Sequence, residues 1–172
     1  ASDESVIYSG VDLTKYKMVD FIFGEEKKTS APKYKDKIDF EVFPASMRDL
    51  ISSYLFGGGK LFLSGAYIGT DLYSNPDSSG IRFANNILKF KLKTGHAVKT
   101  GNVFSVSNSF LPIKNTFEFN TTINDSIYKV EAPDELGEIN GSEVLLRYSE
   151  NNFSAVVGFQ DNYRVVVFGF PF

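Results

Sequence analysis

The chain contains no cysteine and no tryptophan, and one histidine and two methionines among 172 residues. Without cysteine it forms no disulfide, offers no thiolate nucleophile and builds no cysteine-based metal site. The one imidazole that could act as a base is His96. No apolar run reaches the roughly 18 residues that a membrane-spanning helix needs. An excess of positive charge is missing too: the formal charge is -3 and the pI is near 5.2. A protein that replaces counterions along a phosphate backbone usually shows a basic balance, so nucleic acid is not an expected partner.

What the chain has in quantity is aromatic side chains, with 17 Phe and nine Tyr, an inventory suited to β-structure. With 42% hydrophobic residues, its length fits a single domain, 1–172, with a substantial core. A short strand is expected at 5–8 and a turn of helix at 12–17. The run MVDFIF at 18–23, closed by Gly24, reads as a strand covered on both faces. Residues 25–41 are charged, lysine-rich and interrupted by Pro32, which predicts a long surface loop. From Pro44 to Phe56, apolar residues recur at helical spacing (Met47, Leu50, Ile51, Tyr54, Leu55), with Pro44 suited to the first turn and Gly57 to a left-handed cap. KLFLS at 60–64 is the next strand, and strand–helix–strand with joints this short predicts a parallel crossover.

Helical spacing starts again at 68–73, stops at the polar cluster after Asn75, and resumes at 81–88. From Phe90 onward the pattern changes to short β-branched or alternating stretches between turn residues: KFKLK, AVKTG, NVFSVSN, FEFNTT, YKVEA, EVLLRYS, SAVVGFQ and YRVVVFGF. Antiparallel hairpins are expected there. The clearest pairs 155–160 with 163–168 around Asp161 and Asn162, residues that tolerate positive backbone angles. YRVVVF is apolar enough for a central strand.

VDFIFGEEK (19–27), the sequence GGKLFLSGAYIGTDL (58–72) that follows FP and a helix, and the closing YRVVVFGFPF (163–172) together resemble one family. They look like the class I glutamine-amidotransferase-like domain of secreted Bacteroidetes proteins labelled xanthan lyase-like. The resemblance implies an α/β, flavodoxin-like three-layer sandwich with a mainly parallel central sheet and an antiparallel, β-rich C-terminal half. It implies a secreted or cell-surface location, a truncated domain, and the rest of a longer parent polypeptide as partner. The family's elbow, Gly-x-Cys-x-Gly after a strand, maps onto Ser64-Gly65-Ala66-Tyr67-Ile68-Gly69. The nucleophile position falls on Ala66, or on Gly65 or Ser64 with a shift of one or two. Active members also carry His and Glu after the last strand, where this chain has Gly169-Phe170-Pro171.

A strand-to-helix bend is where open α/β sheets gather ligands, and four residues near it are catalytic candidates. Ser64 could be a hydroxyl nucleophile, if a base stands beside it. Glu25 and Asp71, with Glu26, follow adjacent strands and could pair as acid and base or hold a hard cation; Asp71 can equally offset the dipole of a helix N-terminus. Tyr67 is the residue that β-elimination from a uronate would use, given a lowered pKa and a cationic partner. Gly65, Ala66 and Gly69 are ligand-binding candidates at the bend. Tyr34, in the basic segment KKTSAPKYKDK, could stack on a sugar of an acidic polysaccharide. No cofactor and no metal site is expected. The leading expectation is a non-catalytic amidotransferase-like module that contacts polysaccharide, and the alternative is a carbohydrate-active lyase or esterase centred on 64–71.

Overall fold

The computed structural model describes residues 3–31, 38–74, 78–107, 109–110 and 115–172. Residues 5–8, expected as a strand, belong instead to a helix, α1 (Asp3–Tyr8), which buries Val6 in the helical layer. The stretch has no partner strand, and its apolar pair finds burial on neighbouring helices. Asp12 then accepts from the Thr14 backbone N–H at 3.0 Å and starts the expected turn, a 3-10 turn at Leu13–Lys15.

The apolar run forms β1 (Val19–Gly24), but it is not covered on both faces as expected: it is the edge strand of the sheet, and Asp20 and Ile22 on one face are exposed. The loop expected at 25–41 contains a small antiparallel hairpin, β2 (Thr29–Ala31) with β3 (Ile38–Phe40). These three-residue strands are too short to leave a period-2 signature. Next, α2 (Ala45–Phe56) buries Met47, Ile51, Tyr54 and Leu55. Burial of each of the aliphatic side chains contributes about 1.5–3 kcal/mol at most. The left-handed residue that ends this helix is Gly58, at φ 87°, and not Gly57, at φ -76°. Gly59 follows with no room for a side chain, since a Cβ there would lie 2.5 Å from the Tyr54 ring.

β4 (Lys60–Gly65) pairs parallel with β1, Val19 opposite Leu61, as the short joints predict. Two short helices follow, α3 (Ile68–Ser74) and α4 (Ser79–Phe83), the second running into a π-turn at Ala84–Leu88. The remaining chain is strand: β5 (Phe90–Thr94), β6 (Asn102–Ser105), β7 (Thr116–Glu118), β8 (Glu135–Glu138), β9 (Glu143–Tyr148), β10 (Ser154–Gln160) and β11 (Arg164–Phe168). AVKTG and YKVEA are not strands. Their backbone groups find other partners: Ala97 N–H donates to Pro133 O at 2.9 Å, those of Lys99 and Thr100 to the Glu150 carboxylate, and that of Val130 to Asn120 O. The β10–β11 hairpin forms, but Gln160 opposite Arg164 leaves three residues in its loop, and neither Asp161 nor Asn162 takes a positive φ.

Seven strands make one curled sheet in the order β1-β4-β11-β10-β9-β6-β7, while β5 and β8 pair separately. The expectation of a mainly parallel sheet is corrected here. Parallel pairing joins β1 to β4 and β4 to β11, and the other pairings of this sheet are antiparallel. The reason is the placement of β11, an interior strand as its composition predicts, which closes on β4 from one side and its own hairpin partner from the other. The protein is therefore mixed α/β and strand-rich. Side chains from every described helix enter one core with Leu63, Val157, Val165 and Val167, on one side of the sheet. On the opposite side Val103, Phe119, Tyr148, Val156, Phe168 and Phe170 form a second core without helical residues. Among the described residues no helix is long and apolar enough to cross a membrane.

Candidate functional site

At the carboxyl end of β4 the chain turns through Ala66 and Tyr67 and enters α3 at Ile68. Ser64 is completely buried, and its hydroxyl has no hydrogen-bond partner among the described residues. Among the described residues no base therefore stands within reach of it, and a base within reach is the first requirement of a hydroxyl nucleophile. Ala66, also fully buried, donates its N–H to Gly24 O at 2.9 Å and so ties the turn to the end of β1. No residue from 60 to 74 has a positive φ. The bend is thus relaxed, unlike the strained turn that presents a nucleophile in α/β-hydrolases.

The residue that organises the bend was not among the candidates. Asp134, buried just before β8, accepts through Oδ2 from the N–H groups of Gly69 (2.6 Å) and Thr70 (3.2 Å), and through Oδ1 from the Thr70 hydroxyl (2.6 Å). It closes the start of α3 as a capping side chain supplied from far along the chain. Burial pushes its carboxyl up to about 7, against the pull of these three hydrogen bonds, and the nearby charge of Asp71 acts in the same direction as burial. Asp134 is itself fixed by its backbone. Its N–H donates to Gly169 O at 2.7 Å, and its carbonyl accepts from the buried Tyr148 hydroxyl at 2.8 Å. Gly69 must be glycine here, because a Cβ would sit 2.9 Å from Leu92 and 3.1 Å from Asp134 Oδ2. The N–H groups of Ala66 and Gly69, two that could hold an anion at such a bend, are already engaged by protein oxygens.

Two of the acidic and phenolic candidates do meet. Glu25 accepts from Glu131 N–H at 2.7 Å, and its charge reaches both Tyr67 and Tyr128. Lys27 lies over the Tyr67 ring, 5.4 Å from its centre. Burial raises the Tyr67 hydroxyl pKa, and Glu25, Glu131 and Asp134 raise it further. That is the reverse of what a base in β-elimination needs. Asp71 is turned elsewhere: its carboxylate accepts from the backbone N–H groups of Val42 and Phe43, near Glu41 and Lys28. Burial raises its pKa above the ordinary value, and these two bonds oppose the rise. Lys28 and Glu41 form an ion pair at 3.6 Å.

His96 is exposed, its N–H bonded to Thr94 Oγ1 in the turn after β5. Gly65 is buried where β4 ends, a Cβ on it falling 3.0 Å from Phe23. Tyr34 lies outside the described residues. No group of three His, Asp or Glu among the described residues could hold a metal ion.

The predicted bend is thus a real joint in the chain, with its hydroxyl sealed in, its amides engaged and a buried carboxyl clamping the helix that follows. Compared with protein-family models, with curated proteins and with solved structures, the chain finds no match.

Proposed function

We propose that this chain is a non-catalytic α/β module, a relative of class I amidotransferase-like domains whose elbow has become a structural joint, and that it serves within a larger secreted bacterial protein. The observation that carries the reading is Ser64, fully buried with a hydroxyl unpartnered among the described residues, next to Ala66 at the nucleophile position. A flavodoxin-like origin is supported by the parallel β1–β4–β11 portion with α2 between its first two strands. Contact with acidic polysaccharide would fall to the basic segment that begins at Lys27, where that lysine and Tyr67 present a cation on an aromatic face.

The test is turnover. Glutamine, a nitrophenyl acyl ester and an acidic polysaccharide are each incubated with the chain and with Ser64→Ala and Tyr67→Phe, and product release is followed against buffer. Rates equal to buffer for all three proteins are expected. Turnover by the parent chain that either substitution abolishes would refute the proposal in favour of a lyase or esterase at 64–71. Calorimetric titration of the polysaccharide tests the contact separately, and a signal unchanged in Lys27→Glu counts against that role for the segment.

A further inference from the structure

Because side chains alternate along a strand, the residues of β4 and β11 that face away from the helices are Lys60, Phe62 and Ser64, and Arg164, Val166 and Phe168. The parallel register sets Lys60 beside Arg164, Phe62 beside Val166, and Ser64 beside Phe168. Two cations therefore stand together at one end of a floor that is otherwise apolar. The sheet curls over this floor and leaves a cavity of about 390 Å³, within the range of small-molecule sites. Val156, Leu145 and Leu146 extend the floor across β10 and β9, and Phe110, Phe117 and Phe172 wall it. The Phe172 ring is held against Phe62, Phe168 and Phe117, at 5.7, 5.2 and 6.4 Å between ring centres.

The charges are what distinguish this recess from an ordinary gap. Among the described residues no Asp or Glu lines it, and neither the Lys60 nor the Arg164 side chain makes an ion pair or hydrogen bond among them. Like charges side by side on neighbouring strands repel, and an anion held between them would remove the repulsion. Asp20, opposite Phe62 on the edge strand β1, is exposed and lies outside the lining. A methylene fills a volume like that of a water in the liquid, ~30 Å³, so the whole cavity has room for on the order of a dozen non-hydrogen atoms.

We propose that this face binds a single-tailed anionic amphiphile, a long-chain carboxylate, with its head between Lys60 and Arg164 and its tail along Phe62, Val166 and Phe168. Arg164 supplies the planar fork that suits a carboxylate, and Lys60 adds a point charge. The site lies on the side of the sheet away from the elbow's helix, so the proposal stands or falls independently of whether the elbow is silent.

The experiment is calorimetric titration of the chain with dodecanoate, dodecanol and dodecyltrimethylammonium, each below its micellar concentration, and a sedimentation assay with phosphatidylglycerol vesicles. Saturable 1:1 binding of dodecanoate is expected, at least tenfold tighter than the cation of equal tail length. The double substitution Lys60→Glu with Arg164→Glu changes exposed side chains only. It should weaken dodecanoate at least tenfold and leave dodecanol within twofold, with an unchanged circular dichroism spectrum. Val166→Trp, which fills the floor, should abolish both. Equal affinity for the three head groups, absence of dodecanoate binding, binding that survives Val166→Trp, or capture by vesicles alone would each overturn the assignment.

Discussion

Replacing Asp134 with asparagine tests the clamp on α3 by its pH dependence. The carboxyl is buried and moved from an ordinary 3.8 to about 7. Between those values the folded protein holds a proton that the unfolded chain has released. Unfolding then releases a proton, so this group's contribution to stability is fully present below about pH 4, falls as pH rises through the window and is gone above about pH 7. At 1.36 kcal/mol for each pH unit, the interval is worth about 4 kcal/mol. An asparagine keeps the shape, its carbonyl accepting from the Gly69 and Thr70 N–H groups and its amide donating to the Thr70 hydroxyl, but it does not titrate. Urea unfolding followed by circular dichroism at several values from pH 4 to pH 8, for both proteins, gives the difference in stability at each. Asp134→Asn should gain on the parent by about 4 kcal/mol between the two ends, and most of the gain should fall between pH 5 and 7. A difference that stays flat, or one that turns against asparagine as pH rises, would mean that the three hydrogen bonds hold the carboxylate ionised and that burial does not dominate.

Gly101→Ala places a Cβ 1.7 Å from the Phe119 carbonyl oxygen, beside the Phe119 N–H bond to Gly101 O; a loss of about 3 kcal/mol or more is expected in urea unfolding, at the upper end of overpacking effects. Tyr148→Phe removes the buried hydroxyl that donates to Asp134 O and, at 3.4 Å, approaches Gly169 O. It should lower stability by about 1–3 kcal/mol, read as a fall in the thermal midpoint.

How far the sequence could be read depended on how local each cause was. The β1–α2–β4 unit was legible because a nearly continuous apolar run, a 3.6-residue spacing and the Pro44 and Gly57–Gly59 boundaries each sit within the element they specify. The β10–β11 hairpin was legible for the same reason, though its turn chemistry was not. The neighbours of β11 were hidden: YRVVVF marks an interior strand but carries nothing about lying between β4 and β10. The bend at 64–69 was found, while the side chain that holds it was missed. Asp134 caps an α3 that begins at Ile68, and only tertiary contact relates the two. A helix entered without Ser, Thr, Asp or Asn at its cap, Tyr67 preceding Ile68, was the available hint that a donor set needed an acceptor from elsewhere.

The interior position of β11 has a consequence for how the molecule assembles. Its parallel partner β4 lies roughly a hundred residues earlier, so the pairing of Lys60 with Arg164 closes a very long loop, the kind of contact that slows folding. Until that closure, one flank of β4 is an open row of amides and carbonyls, and the meander from β10 to β7 has no link to the parallel strands through the sheet. A chain released before β11 had been made would expose both edges, so this single strand decides whether two half-sheets become one protein or two sticky fragments.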